Sequence, residues 1–330
     1  MVEAAGGTHE GYEPFGEPPE LLTVGRISID LYSGQIGADW SAATSFSKAV
    51  GGSPTNVAIA AARLGHRAAV YTKVGGDPFG AAVLDELRDL GVDCRFVGVE
   101  SDGLTPLAFA VLDPPEQPQL HFRRTPPVPD LQLRGDEPAV EVASHVPALW
   151  VSAGALSAEP SASTCERMLL ARARRRHTFL DLDYRASFWP SPAAAGARVA
   201  AALRHVTVAV GNREECAVTV GTEDPHEASR RLLAAGVELA VVKLGGDGVL
   251  LSDRDGERVV AAADIPVLCG LGAGDAFGGA LCHGLLSGWS NERSVEFANA
   301  AGGIVASRLL CSQAMPYERE VEELMTGSWR

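Results

Sequence analysis

Short apolar runs rich in Val, Leu and Ala recur along the chain: "LLTVGR", "RAAVYTKV", "ALWVSA", "TFLDLD", "VTVAVG" and "LAVVKL". Longer stretches of helical period lie beside them. Strands this uniformly apolar are buried on both faces, so the alternation predicts an α/β fold, a mostly parallel central sheet flanked by helices. The rhythm breaks twice, from about residue 31 to 50 and from about 107 to 124, where "LAFAVL" is followed by "PPEQPQLHFRR". Short alternating strands and proline-rich turns with no helix between them predict a small β appendage whose two pieces come together in space. Residues 1–20, "MVEAAGGTHEGYEPFGEPPE", lack the basic-then-apolar order of a secretory signal. Their Gly, Pro and Glu content predicts a disordered leader, with the folded unit running over 21–330.

Composition narrows the function. The 330 residues suit two ordinary domains or one large α/β unit with an appendage, and no apolar run long enough to span a membrane is free of Gly, Pro or charge. Cys94, Cys165, Cys216, Cys269, Cys282 and Cys311 form no CxxC pair and have no histidine at zinc-ligand spacing, which fits reduced thiols in a cytoplasmic protein. A formal charge of −14 with only three lysines argues against a phosphate-tracking nucleic-acid surface. An anionic ligand must therefore be held by helix N-termini and individual arginines. The run "ARARRR" at 171–176 reads as the solvated, cationic end of a helix.

Two glycine-rich helix starts carry the chemistry. In "GGSPTNVAIAAARLG", Ser53 is the expected N-cap, Pro54 the first helical residue and Gly65 the stop, with Asn56 in the first turn behind the pair Gly51–Gly52. Plain capping and ligand-facing amides are equally good readings of this start. In "GLGAGDAFGGALCHGLL", Gly278, Gly279 and Gly284 are explained by close helix packing, whereas Gly272 and Gly274 precede the helix. A dinucleotide fold lacks the following βαβ unit, and none of Lys48, Lys73 and Lys243 follows a glycine, which excludes a Walker P-loop. What remains is an anion site at the bare amides of Gly272, Ala273 and Gly274 with Asp275 beside it, an arrangement suited to phosphoryl transfer with Asp275 as base. Asp275 as a simple dipole partner is the plainer alternative. Asn212 and Glu215 in "GNREECAV" share a first helical turn and offer oxygen ligands for Mg²⁺, or an ordinary exposed face. The turn in "VVKLGGDGVLL" allows a phosphate or ribose close to the backbone, or is a simple hairpin.

In this order the motifs resemble the ribokinase/PfkB family of ATP-dependent sugar kinases over nearly the whole chain from Leu21. The resemblance implies a ribokinase-like three-layer fold with a β-sheet lid, often a homodimer contact, and ATP with Mg²⁺ as cofactors. It implies Asp275 as the base for a primary hydroxyl and Gly272, Ala273 and Gly274 as the anion hole. Asn212 and Glu215 would organise Mg²⁺, the latter through water. Lys243, Gly245 and Gly248 would border ATP, with Asn299 near the adenine. Asp30, Gly52 and Asn56 match positions that hold sugar hydroxyls. Where the family usually has Asp-Thr before the anion hole this chain has Cys269-Gly270, which leaves the monovalent cation open.

The acceptor is read from "TFLDLDYRASFW", where Asp181, Asp183 and Arg185 alternate at a strand end. Arg185 could clamp a carboxylate or simply pair with its neighbouring aspartates. Arg123 in "QLHFRR" is a second candidate contact, or a solvated lid arginine. The segments "SFSKAVGGSPTNVAIA", "LDYRASFW" and "SQAMP" are similar to the branch that phosphorylates 5-dehydro-2-deoxygluconate in myo-inositol breakdown. A 2-dehydro-3-deoxygluconate, fructose or ribose kinase is the nearer alternative. A non-catalytic sugar-acid sensor and, more weakly, a nicotinamide oxidoreductase are alternatives of other classes.

Overall fold

The computed structural model describes residues 17–115, 117–135 and 138–329. The leader expected over 1–20 lies outside the described residues as far as residue 16. Glu20 is already tied to the fold: its N–H donates to the Arg67 carbonyl at 2.8 Å, and its carboxylate accepts from the Arg67 N–H at 3.0 Å.

In chain order the strands are β1 (Leu21–Val24), β2 (Ser28–Ser33), β3 (Phe46–Gly51), β4 (Ala68–Gly75), β5 (Val97–Glu100), β6 (Leu107–Val111) and β7 (Gln119–Arg123). They continue as β8 (Ala148–Ser152), β9 (Thr178–Asp181), β10 (Val208–Asn212), β11 (Leu239–Lys243), β12 (Val249–Asp253) and β13 (Gly256–Val260). Nine of them form one sheet in the order β13-β12-β11-β10-β9-β8-β1-β4-β5. Every neighbouring pair from β5 to β11 is parallel, and the β11–β12 and β12–β13 pairs are antiparallel. All six apolar runs of the sequence become strands of this sheet. The edge strands β5 and β13 carried no such signal because they are barely buried and have no apolar pattern to display.

The two proline-rich stretches meet as a second sheet, β3-β2-β6-β7. The parallel β2–β6 pairing, with Ile29 opposite Leu107, joins them across the intervening chain, and the β2–β3 and β6–β7 pairs are antiparallel. Helices cover both faces of the large sheet, giving two apolar layers, one around Trp150 and Phe179 and the other around Leu149, Leu180 and Leu232. Helix α1 (Ser53–Arg63) and the Ala273–Leu286 helix share the first layer. The glycines inside the latter serve that contact: a Cβ on Gly279 would lie 2.4 Å from the Ala60 Cβ and 2.8 Å from the Val57 carbonyl oxygen. Among the described residues no helix is long and apolar enough to cross a membrane.

Two local expectations are corrected. The N-cap of α1 is Gly52, at φ +98°, and Ser53 is the first helical residue with its hydroxyl turned away from capping. Arg172 of the basic run is buried, donating to the carbonyls of Ala143, Val146 and Pro147. A guanidinium carries enough donors to satisfy several stray carbonyls in one place, which lets it lie inside the protein.

Candidate active site

In a parallel sheet the C-terminal strand ends and the N-termini of the following helices point the same way, so loops and helix amides gather at one edge. Here that edge encloses a cavity of about 790 Å³, floored by the ends of β9, β10 and β11 and by the starts of α1 and the Ala273–Leu286 helix. Ala108, Ala110, Leu120 and Phe122 of the small sheet close it from the other side.

Asp275 is the third residue of its helix, and the first intrahelical bond of that helix runs from the Ala276 N–H to the Gly272 carbonyl at 2.9 Å. The amides of Ala273, Gly274 and Asp275 therefore lack acceptors within the helix. Gly272 caps the helix at φ +81°, and a Cβ there would come within 2.7 Å of the Cys311 side chain, so only glycine fits. Asn56 reaches across from α1 and donates Nδ2–H to Asp275 Oδ2 at 2.9 Å. Burial raises the Asp275 carboxyl above its ordinary value, against the lowering effect of Asn56 and Ser53. A carboxylate held by one amide, short of water and beside bare N–H groups can accept a proton while an anion rests on the amides.

Around it stand further charges that line the same cavity. Asp30 accepts from the Ser28 hydroxyl at 2.7 Å, and burial pushes its carboxyl up to about 6. Asp181 accepts from the Ser53 hydroxyl at 3.1 Å and is raised by burial. Asp183 is also buried, but Arg26 and Arg185 outweigh that effect and hold it well below the usual carboxylate range. Arg26 Nη2 lies 2.6 Å from Asp183 Oδ2, and Arg185 Nη2 lies 3.4 Å from Oδ1. The neighbouring aspartate is thus the partner of Arg185, which still lines the cavity with 39% of its side chain exposed.

On the opposite wall the side chains of Asn212 and Glu215 cap the Arg213–Val220 helix for each other. Asn212 accepts from the Glu215 N–H at 2.9 Å, and Glu215 Oε2 accepts from the Asn212 N–H at 2.7 Å. Both line the cavity, and Glu215 Oε1 is free of that cap. Lys243 Nζ lies 4.0 Å from Glu215 Oε2. Burial would lower the Lys243 amine, but Glu215, Asp181, Asp275 and Asp183 prevail and raise it, so it stays charged. Gly245 and Gly248 line the cavity, as does Asn299, whose amide donates to the Ala261 carbonyl at 2.6 Å. Among the described residues no group of three or more His, Cys, Asp or Glu side chains is placed to hold a metal ion.

The structure thus gathers Asp30, Gly52, Asn56, Arg185, Asn212, Glu215, Lys243, Gly245, Gly248, Asn299 and the 272–275 segment around one cavity. Arg123 does not join them. Strand alternation turns Leu120 and Phe122 inward, and so puts His121 and Arg123 on the exposed face. Cys269 is packed with Tyr32, Ala49 and Leu112, and burial pushes its thiol up, so it presents no anionic ligand to a cation. The residue that sequence reading missed is Arg26. It follows Gly25 at the C-terminal end of β1, the position where an α/β sheet exposes its functional residues, and that rule was a usable signal.

Comparison with known proteins agrees with this geometry. Residues 19–317 match the model described as pfkB family carbohydrate kinase. The 5-dehydro-2-deoxygluconokinase of Geobacillus thermodenitrificans is 30% identical over 323 residues, covering 94% of this chain and 95% of that protein. That of Clostridium tetani is 29% identical over 319 residues, covering 94% and 93%. A putative ribokinase II from E. coli, solved in complex with ATP and Mg²⁺, superposes with a TM-score of 0.83 at 18% identity, covering 94% of this chain and 99% of that one. A Vibrio cholerae fructokinase variant with fructose, ADP and potassium bound gives 0.80 at 24%, with the same coverage.

Proposed function

We propose, for a chain that belongs to the pfkB family of carbohydrate kinases, that its acceptor is a sugar acid, 5-dehydro-2-deoxygluconate, phosphorylated on its primary hydroxyl to the 6-phosphate. The chain is an ATP-dependent sugar kinase. The observation that carries the substrate reading is the pair of arginines at the cavity wall, in a chain alike from end to end to enzymes bearing that substrate's name. A neutral sugar offers nothing that two guanidiniums sharing one aspartate would need.

In this reading Asn56 holds Asp275 by one oxygen and leaves the other for the acceptor hydroxyl. The hydroxyl proton passes to Asp275 as its oxygen bonds to the γ-phosphorus of ATP, and the bond from that phosphorus to the bridging oxygen breaks to release ADP. The amides of Gly272, Ala273 and Gly274 hold the transferred group, with Lys243 adding charge beside them. Burial, which raises Asp275, makes it a better base near neutral pH. Asp30, Gly52 and Asn56 face the sugar hydroxyls, and Gly245, Gly248 and Asn299 border the nucleotide. Mg²⁺, when bound, neutralises phosphate charge. The cavity-lining Glu215, with one carboxylate oxygen outside the cap, fits the single protein contact that a largely hydrated ion requires, and Asn212 fixes its orientation. The small sheet, formed from 28–51 and 107–123, acts as a lid over this site. A homodimer through that sheet is supported by Ile36, Trp40 and Phe46, which stand exposed there, and a cytoplasmic location by six unpaired cysteines.

The test is ADP release with Mg-ATP against 5-dehydro-2-deoxygluconate, 2-dehydro-3-deoxygluconate, fructose, ribose and adenosine. Turnover confined to the first acid is expected. Preference for the second acid would move the substrate assignment, and turnover of neutral sugars alone would remove the carboxylate clamp.

A further inference from the structure

The two arginines at the cavity wall are not equivalent. Arg185 is 39% exposed, gives Nη1 to the Tyr184 carbonyl at 3.2 Å and meets Asp183 only at 3.4 Å. The Arg26 side chain is 7% exposed, and its Nη2 sits 2.6 Å from Asp183 Oδ2, the oxygen that also accepts from the Ser152 hydroxyl at 2.9 Å. The Arg26 Cζ lies over the Phe188 ring, 5.1 Å from its centre, and Phe122 packs edge-on to that ring at 5.0 Å while Arg124 covers it at 4.7 Å. Buried Asp130 fixes both neighbours, accepting from Arg124 Nη1 at 3.1 Å and from the Ile27 N–H, next in chain to Arg26, at 3.2 Å. Among the described residues nothing accepts from Arg26 Nε or Nη1. The former is fully buried, and the residue lines the cavity.

The two guanidiniums share Asp183 as their only ion-pair partner among the described residues, and Asp30 and Asp275 act on Arg26 without an ion pair to it. What Arg26 lacks is a direct acceptor: a carboxylate supplies a charged one, whereas a neutral sugar supplies only a weaker hydroxyl.

We propose that Arg26 is the principal carboxylate-recognition residue of this kinase, seating the single carboxylate of its sugar acid on Nη1, the donor group that the protein leaves unpartnered and not fully buried. Asp183 is a positioning residue that holds Arg26 and Arg185 side by side, and Arg185 is the secondary contact. This rests on the sugar-acid reading above. A rigid, desolvated guanidinium loses little freedom when it binds, so its charged hydrogen bonds are worth about ten- to a hundredfold in affinity, more than those of an exposed arginine.

The experiment compares 5-dehydro-2-deoxygluconate with its uncharged methyl ester in the full chain and in Arg26→Gln, Arg26→Lys, Arg185→Gln and the double variant Arg26→Met/Asp183→Asn. The double variant removes the buried pair together, so the only charge that loses its partner is the part-exposed Arg185. If the wild type fails to phosphorylate the acid, the substrate reading falls whatever Arg26 does. If it succeeds, Arg26→Gln and the double variant are expected to raise KM for the acid by about tenfold or more. KM for the ester and for ATP should stay within about threefold, Arg26→Lys should restore part of the loss, and Arg185→Gln should cost less. Equal losses on acid and ester would make Arg26 structural and overturn the proposal, as would a larger acid-specific loss in Arg185→Gln.

Discussion

Replacing Asp275 with Asn separates catalysis from stability because the two respond in opposite directions. Asparagine keeps the size of the side chain and an oxygen for the Asn56 Nδ2–H bond, 2.9 Å in the native site, so geometry is preserved. What disappears is the ability to take a proton. General-base catalysis contributes about 10²- to 10⁴-fold, so the barrier should rise by about 3 to 5 kcal/mol. Stability should move the other way. The folded carboxyl binds its proton more tightly than the unfolded one, whose reference value is 3.8. The stability this group contributes is therefore complete below that value and is lost as pH rises through the folded value. Removing the charge should therefore stabilise the fold more at pH 7 than at pH 4. Coupled ADP assays and calorimetry at pH 7 and pH 4 test both halves: kcat should fall at least a hundredfold, with the Tm gain present at pH 7 and shrinking toward pH 4. A variant retaining a tenth of native kcat would refute the base, and one that lost both activity and several degrees of Tm would show that the loss came from unfolding.

Burial holds Asp30 up to about 6, so kcat/KM for the sugar should fall as pH drops below that value and the carboxylate stops accepting hydroxyl hydrogens; Asp30→Asn should displace that acid limb in a pH–rate profile. Glu215→Gln retains an acceptor for the Asn212 N–H, so Tm should hold while the Mg²⁺ concentration for half-maximal activity rises about tenfold or more in a titration. Gly272→Ala forces a Cβ against Cys311 at positive φ and should cost about 1 to 3 kcal/mol in denaturant unfolding, together with kcat, because the amides beside Asp275 move. Arg123→Ala should change kcat and both KM values by less than about twofold, since the side chain stands on the outer face of β7.

Much of this molecule was legible in one dimension. Six apolar runs marked strands because a strand buried on both faces must be apolar throughout, and the glycines of the Ala273–Leu286 helix marked packing because nothing larger fits beside Ala60 and Val57. Asn56 and Asp275 were legible because helix starts display their chemistry in a few consecutive residues, although their hydrogen bond joins helices 219 positions apart. Other features had no local signal. Whether Arg123 or Phe122 faces the cavity depends on which face of β7 the large sheet covers, and a shift of one residue reverses the answer. Ser53 could have capped its helix, but Asp181, brought close by β9, draws its hydroxyl away. Arg26 and Asp183 are separated by 157 positions and become a pair only because β1 and β9 flank β8 in the sheet. The sequence determines which residue types are available and which segments form strands and helices, since those follow from local period and propensity. Partnership between charges far apart in the chain is decided by strand order and burial, because water must be excluded and the groups aligned before a guanidinium and a carboxylate select each other.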